Sequence, residues 1–224
     1  MRYLLFLAGI LGAVNGGCGA SSATWASPVP RGEGRVGFRA GARAVVGGDL
    51  PSVAEGYSPL VAFEYRRGVA DRVDVGGEVS NTNAALGARV SLAKARTVEV
   101  SIGLHVRGTA ARPLGIIPFF EGHHYSLSAE PDVRAGVNLS HAVQLGFFFR
   151  PALVYTLPDA EPASVIPERR GLSLSPELGL AIDLRLGKQV HLVPVVSLAT
   201  FLGSDSRFLS DDTLVGTSSL ALYF

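Results

Sequence analysis

Residues 97–108 read TVEVSIGLHVRG. Val98, Val100, Ile102, Leu104 and Val106 fall on one side of an extended chain. Thr97, Glu99, Ser101, Gly103, His105 and Arg107 fall on the other. A strict period of two is the mark of a β-strand with one apolar and one polar face. Wound into a helix, the same valines would scatter around the axis and make no apolar stripe.

The pattern recurs on both sides of this stretch. In GRVGFRAGARAVV, residues 34–46, Val36, Phe38, Ala40, Ala42 and Ala44 oppose Arg35, Gly37, Arg39, Gly41 and Arg43. In RVDVGGEVS, residues 72–80, Val73, Val75 and Val79 oppose Arg72, Asp74, Gly76 and Glu78. In LSLSPELGLAIDLRL, residues 172–186, seven aliphatic residues oppose Ser173, Ser175, Glu177, Gly179, Asp183 and Arg185. No stretch after residue 20 carries a helical period. Ten strands are expected near 34–46, 57–68, 71–81, 83–94, 97–108, 128–140, 142–157, 171–186, 189–202 and 213–224. Most exceed the usual strand of about 5–6 residues. They match the roughly 9–11 residues that a tilted strand needs to cross a bilayer.

The connections alternate in length. Every even-numbered one is short, such as SH at 140–141 and GK at 187–188. Four of the five odd-numbered ones are long, the fifth spanning 109–127. Short turns at one end and long loops at the other, with an even strand count, are the layout of bacterial outer-membrane barrels. Both termini then share the short-turn end. The expected fold is an all-β, antiparallel, up-and-down transmembrane barrel of ten strands, with eight and twelve as the neighbouring even counts. The apolar faces would meet lipid, and Phe63, Tyr65, Phe147, Phe149 and Tyr155 lie on them as interfacial aromatics do. The polar faces would turn inward, where Gly37, Gly41, Gly76, Gly87, Gly103, Gly136, Gly146 and Gly179 suit a crowded lumen. The alternative is a secreted or periplasmic β-sandwich or lipocalin-like binding protein, with the faces reversed.

The last residues, SSLALYF at 218–224, resemble the C-terminal assembly signal of bacterial outer-membrane β-barrels. Leu220, Leu222 and Phe224 alternate up to a terminal aromatic, and Tyr223 supplies a second ring. The resemblance covers residues 34–224 at the level of the superfamily. It implies that the last strand is read by the barrel-assembly machinery and closes against the first. It also implies a location in the bacterial outer membrane, with outer-membrane lipid as a partner.

At the other end, MRYLLFLAGILGAVNGGC has one cation, a short apolar run and small residues, the layout of a signal peptide. Cys18 is the one cysteine, so no internal disulfide forms. Its place after Gly16 and Gly17 resembles the lipobox of bacterial lipoproteins, with Asn15 where that motif carries an aliphatic residue. The resemblance implies acylation at Cys18; ordinary cleavage near Ala20 or Ala26 is the alternative. The expected organisation is a signal peptide at 1–18, a flexible periplasmic tether at 19–33 and the barrel at 34–224.

Composition narrows the function. Charged residues are 17% of the chain, below the roughly 25% of soluble domains. A net charge of +1 gives no broad basic surface for nucleic acid. The inward faces offer Arg35, Arg39, Arg43, Arg66, Arg72, Arg89, Arg107, Arg134, Arg150 and Arg185 against Glu64, Asp74, Glu78, Glu99, Asp132, Glu177 and Asp183. Buried ions need partners, so these residues should form an Arg–carboxylate network that fills a narrow barrel. Its role is either structural or the lining of a narrow path for small solutes. An outer-membrane lipid-modifying hydrolase is a third reading. Its candidates are Glu121, His123, His124 and Ser126 in EGHHYS, and the pair Glu99 and His105. No G-x-S-x-G motif supports it, and adjacent histidines in a loop have no metal-ligand spacing. No enzyme activity, metal or cofactor is expected. Ile116, Ile117, Phe119 and Phe120 put an apolar cluster in the 109–127 loop, a candidate contact for another envelope protein.

Overall fold

The computed structural model describes residues 26–47, 58–80, 83–111, 124–157, 171–186, 190–200, 202 and 214–224. Ten strands run β1 Gly34–Gly47, β2 Ser58–Ala70, β3 Val73–Ser80, β4 Asn83–Lys94 and β5 Val98–Ala111, then β6 His124–Asn138, β7 Val143–Thr156, β8 Gly171–Arg185, β9 His191–Thr200 and β10 Leu214–Tyr223. Each pairs antiparallel with its sequence neighbours, and β1 pairs with β10, so the sheet closes into an up-and-down barrel. Closure leaves no unpaired edge. At the seam, Phe38 faces Leu222 and Ala40 faces Leu220. Phe224 adds a reciprocal backbone pair with Val36, at 2.9 and 3.1 Å.

Two expected boundaries shift. β5 and β6 stay paired as far as Ala111 and His124, so part of the expected 109–127 loop is strand. β3 starts at Val73, which leaves Arg72 in the preceding turn. Signal peptide, Cys18, Glu121, His123 and the apolar residues 116–120 lie outside the described residues.

The alternation becomes a direction. Leu86, Leu104, Val106, Leu178, Leu180 and Val196 on six different positions of the outer wall are all exposed, as are the aromatics Phe63, Tyr65, Phe147, Phe149 and Tyr155. Among the described strand residues, Arg67 and Lys94 are the exposed charges. The carboxylates and most arginines of the strands are buried inside. Large side chains on the inner wall face glycines across the ladder. Gly37 lies opposite Tyr223, Gly87 opposite His105, Gly103 opposite Asp132 and Gly179 opposite Phe148. A Cβ on any of the four glycines would overlap the facing side chain. These four inward glycines are thus the spaces that the facing Tyr223, His105, Asp132 and Phe148 side chains occupy.

The lumen is not polar throughout. Phe148, Ala181, Val193, Val195, Ala221 and Tyr223 make a buried apolar cluster against the β7–β10 wall. β9 is apolar on both faces, so its inward side was not readable from alternation. The expected flexible tether also differs in its last part. Residues 26–33 turn into the barrel end that holds the short turns and Phe224, with Ala26 and Val29 3% and 1% exposed.

Candidate functional site

The inward positions set by each strand converge on two ionic networks. The first starts at β10, where the Tyr223 hydroxyl donates to Glu64 at 2.9 Å. Glu64 also accepts from Arg66 at 3.3 Å. Arg66 in turn clamps Asp74 Oδ1 with Nε at 2.9 Å and Nη2 at 2.7 Å. Arg89 reaches the other oxygen of Asp74 at 2.5 Å. The second crosses the lumen. Arg39 donates to Glu78 at 2.7 Å, and Arg107 donates to the same carboxylate at 2.9 Å. Arg107 also holds Glu130 through Nε at 2.8 Å and Asn83 at 2.6 Å. Arg150 continues the chain to Glu130 at 3.9 Å and Glu177 at 3.5 Å. Ser197 closes it on β9, donating to Glu177 at 2.6 Å. Together the two networks draw on all ten strands.

The direct pairing of Glu64 with Glu78 across β2 and β3 explains why so many guanidiniums gather there. Like charges facing each other on a ladder destabilise it. Here Arg66 neutralises one carboxylate, and Arg39 with Arg107 neutralises the other. Buried ions so paired and hydrogen-bonded hold their positions firmly, because removing one strands the other.

Most sequence-identified residues lie on the inner wall: Arg39, Glu64, Arg66, Asp74, Glu78, Arg89, Glu99, Arg107, Asp132, Arg134, Arg150, Glu177 and Asp183 are buried. Arg134 pairs with Asp132. Arg35 and Arg185 are half-buried, and Arg185 and His191 share Asp183 at 3.4 and 2.9 Å. Arg72 is a correction. It is exposed in the β2–β3 turn and joins no lumen network, because the strand begins one residue after it. Arg43 lies on β1, with its side chain outside the described residues. Glu130, 2% exposed, was missed. It lies one alternation step from Asp132 in SAEPDV, the same period-two signal that finds its neighbours. Leu220 and Phe224 point outward and Leu222 is half-buried, while Tyr223 points in.

Among the described residues, the hydrolase candidates Glu99 and His105 do not come together. Glu99 and His105 are six residues apart on one strand, roughly 20 Å at about 3.3 Å per residue. Glu99 is held instead by Gln144 at 3.1 Å and by Ser27. Ser126 is half-buried on β6, and the backbone of His124 opens that strand. The buried serines Ser128 and Ser197 donate to carboxylates that arginine already engages. Neither hydroxyl therefore faces an open base. His105 has no hydrogen-bond partner at either ring nitrogen among the described residues. It lines a cavity of about 10 Å3 between the networks, with Glu64, Arg66, Glu78, Arg107 and Gly87. That is close to the volume one water needs.

No family model matches the chain, and no curated protein matches it. Solved structures do. Neisserial surface protein A is 8% identical, with 85% of this chain and 95% of that one covered, at a TM-score of 0.42. The translocator domain of the autotransporter NalP from Neisseria meningitidis is 9% identical over 100% of this chain and 93% of that one, at 0.38. Ail, the attachment invasion locus protein of Yersinia pestis, is 12% identical over 85% and 96%, at 0.35. At these identities and scores no function passes from them to this chain.

Proposed function

We propose that the chain is an integral β-barrel of the bacterial outer membrane with a structural role, its interior an ionic core and not an open path. One observation carries this reading: the faces are inverted relative to a protein in water. Strand after strand turns Leu, Val and Phe outward, while Arg107, Arg134 and Asp74 are 1%, 1% and 0% exposed inside. A soluble sandwich or lipocalin-like protein with such a surface would expose an apolar belt far beyond the patches soluble proteins tolerate. Lipid removes that cost, and closure satisfies every backbone ladder.

The same core argues against passage. A conducting lumen needs ions that solvent can reach, and here the guanidiniums and carboxylates engage one another across it. The experiment is insertion of the purified, refolded chain into planar bilayers. The expected result is no steady conductance, together with heat-modifiable migration of the membrane-extracted protein on gels. A stable anion-selective conductance would replace the structural role with a pore. Recovery in the soluble periplasmic fraction would replace the membrane reading altogether.

A further inference from the structure

Residues 26–33, directly ahead of β1, turn back onto the barrel. Ala26 and Val29 are almost fully buried although they belong to no strand. The Val29 amide donates to Asp74 Oδ2 at 2.8 Å, sharing that carboxylate with Arg66 and Arg89. The Ser27 hydroxyl donates to Glu99. Arg31 makes a parallel bridge with Gly68, where Gly32 donates to the Gly68 carbonyl at 2.9 Å and Gly68 donates to the Glu33 carbonyl at 3.0 Å. The segment thus touches β2, β3 and β5, all at the short-turn end.

The barrel wall is cut to receive it. A Cβ on Gly68 would strike the Pro30 carbonyl, and one on Gly136 would meet first the Gln144 amide at 2.7 Å and then the Ala26 methyl at 3.0 Å. Gly32, at φ +81°, reverses the chain from this segment into β1, a conformation that favours glycine. Yet the fastening is light. A few hydrogen bonds and two small apolar side chains are set against the entropy of ordering eight residues. Each neighbouring strand, by contrast, is held along two full ladders.

We propose that residues 26–33 are a releasable stopper. Docked, the segment seals the short-turn end of the lumen and completes the coordination of Asp74 and Glu99. Released, it opens that end to water and small solutes down to the ionic core, while the barrel itself stays folded. The exchange moves no strand, because every contact of the segment is made to an end of the wall and not through it.

Thiol accessibility in the full chain, refolded in detergent micelles, tests this apart from any membrane assignment. A thiol is introduced by Ser101→Cys in a Cys18→Ser background. Ser101 is fully buried, one inward step deeper than Glu99, and its hydroxyl has no partner among the described residues. The probe is a small charged methanethiosulfonate. Val29→Pro removes the amide donor to Asp74 without touching a strand. Gly68→Val blocks docking from the wall side. Either change should raise the reaction rate at position 101 at least tenfold. The rate at a thiol placed by Ser128→Cys, at the far side of the ionic core beside Arg107 and Glu130, should stay unchanged. Equal rates at position 101 with and without either change would overturn the proposal. So would a parallel rise at positions 101 and 128, which would mean that the whole barrel had loosened.

Discussion

A single buried arginine shows how the lumen is held. Arg107 is hydrogen-bonded to Glu78, Glu130 and Asn83 from the second half of β5. Arg107→Met keeps the volume and leaves two carboxylates short of a cation. Breaking a buried pair in this way costs about 3–5 kcal/mol, to be read from urea unfolding of the refolded protein. Lys94 lies 4.0 Å from Glu99 but is 68% exposed, so Lys94→Ala should shift the same curve by less than about 1 kcal/mol. A second residue-scale prediction concerns Gly87. An alanine there overlaps the ring of His105, so Gly87→Ala should cost about 1–3 kcal/mol by overpacking. In a His105→Ala background the same change should be nearly neutral. A cycle with no coupling would show that the glycine serves the backbone and not the ring. Residues of this kind were largely legible before the fold was known. Alternation alone assigns Arg39, Glu78, Arg107 and Glu177 to one face. It misassigned Arg72 because the period continues one residue past the strand, and a turn residue obeys no face. Which carboxylate meets which guanidinium was not legible at all, since the pairs join strands far apart in sequence, as Tyr223 and Glu64 do.

At the scale of the strand, period two fixes a face only where the two faces differ. β8 sets Leu178, Leu180 and Ile182 against Glu177 and Asp183, and its orientation follows at once. β9 sets Val193 and Val195 against Val196 and Leu198, so the apolar patch inside the lumen emerges only when its neighbours fix the register. Strand ends are the other weak point. β6 begins at His124, four residues before its alternation suggests, because pairing with β5 continues beyond the apolar pattern. The outward face carries its own prediction. Leu180 lies mid-strand on β8 and 44% exposed. Leu180→Arg should destabilise the barrel in lipid vesicles by about 2–4 kcal/mol, whereas Leu214→Arg, at the start of β10, should cost roughly 0–1 kcal/mol, because the penalty depends on depth. Equal costs at the two sites would show that depth in a bilayer does not govern this surface.

The whole molecule depends on one long-range event, the meeting of β1 with β10. Every other ladder joins neighbours in sequence, so each can form as a hairpin, while this one must close a loop of nearly the whole chain. Loop closure costs entropy before any contact offsets it. The composition of residues 19–32, rich in Ser, Ala and Pro, gives no hint that residues 26–33 are buried, because it is the closed lumen that creates their binding place. The chain end was more readable: an apolar, alternating terminus implies a pairing partner, and Phe224 finds it in Val36. Deleting Phe224 removes both backbone hydrogen bonds of that last pair and leaves the register from Gly37 to Tyr223 intact. If the terminal pair fastens the seam during closure, the shortened chain should refold into vesicles several-fold more slowly, followed as appearance of the heat-modifiable gel band. Its core, untouched by the deletion, should resist urea nearly as well once closed. Unchanged refolding would place the decisive contact further up the seam, where Phe38 meets Leu222 and packs at 5.2 Å on Phe63 of the next strand.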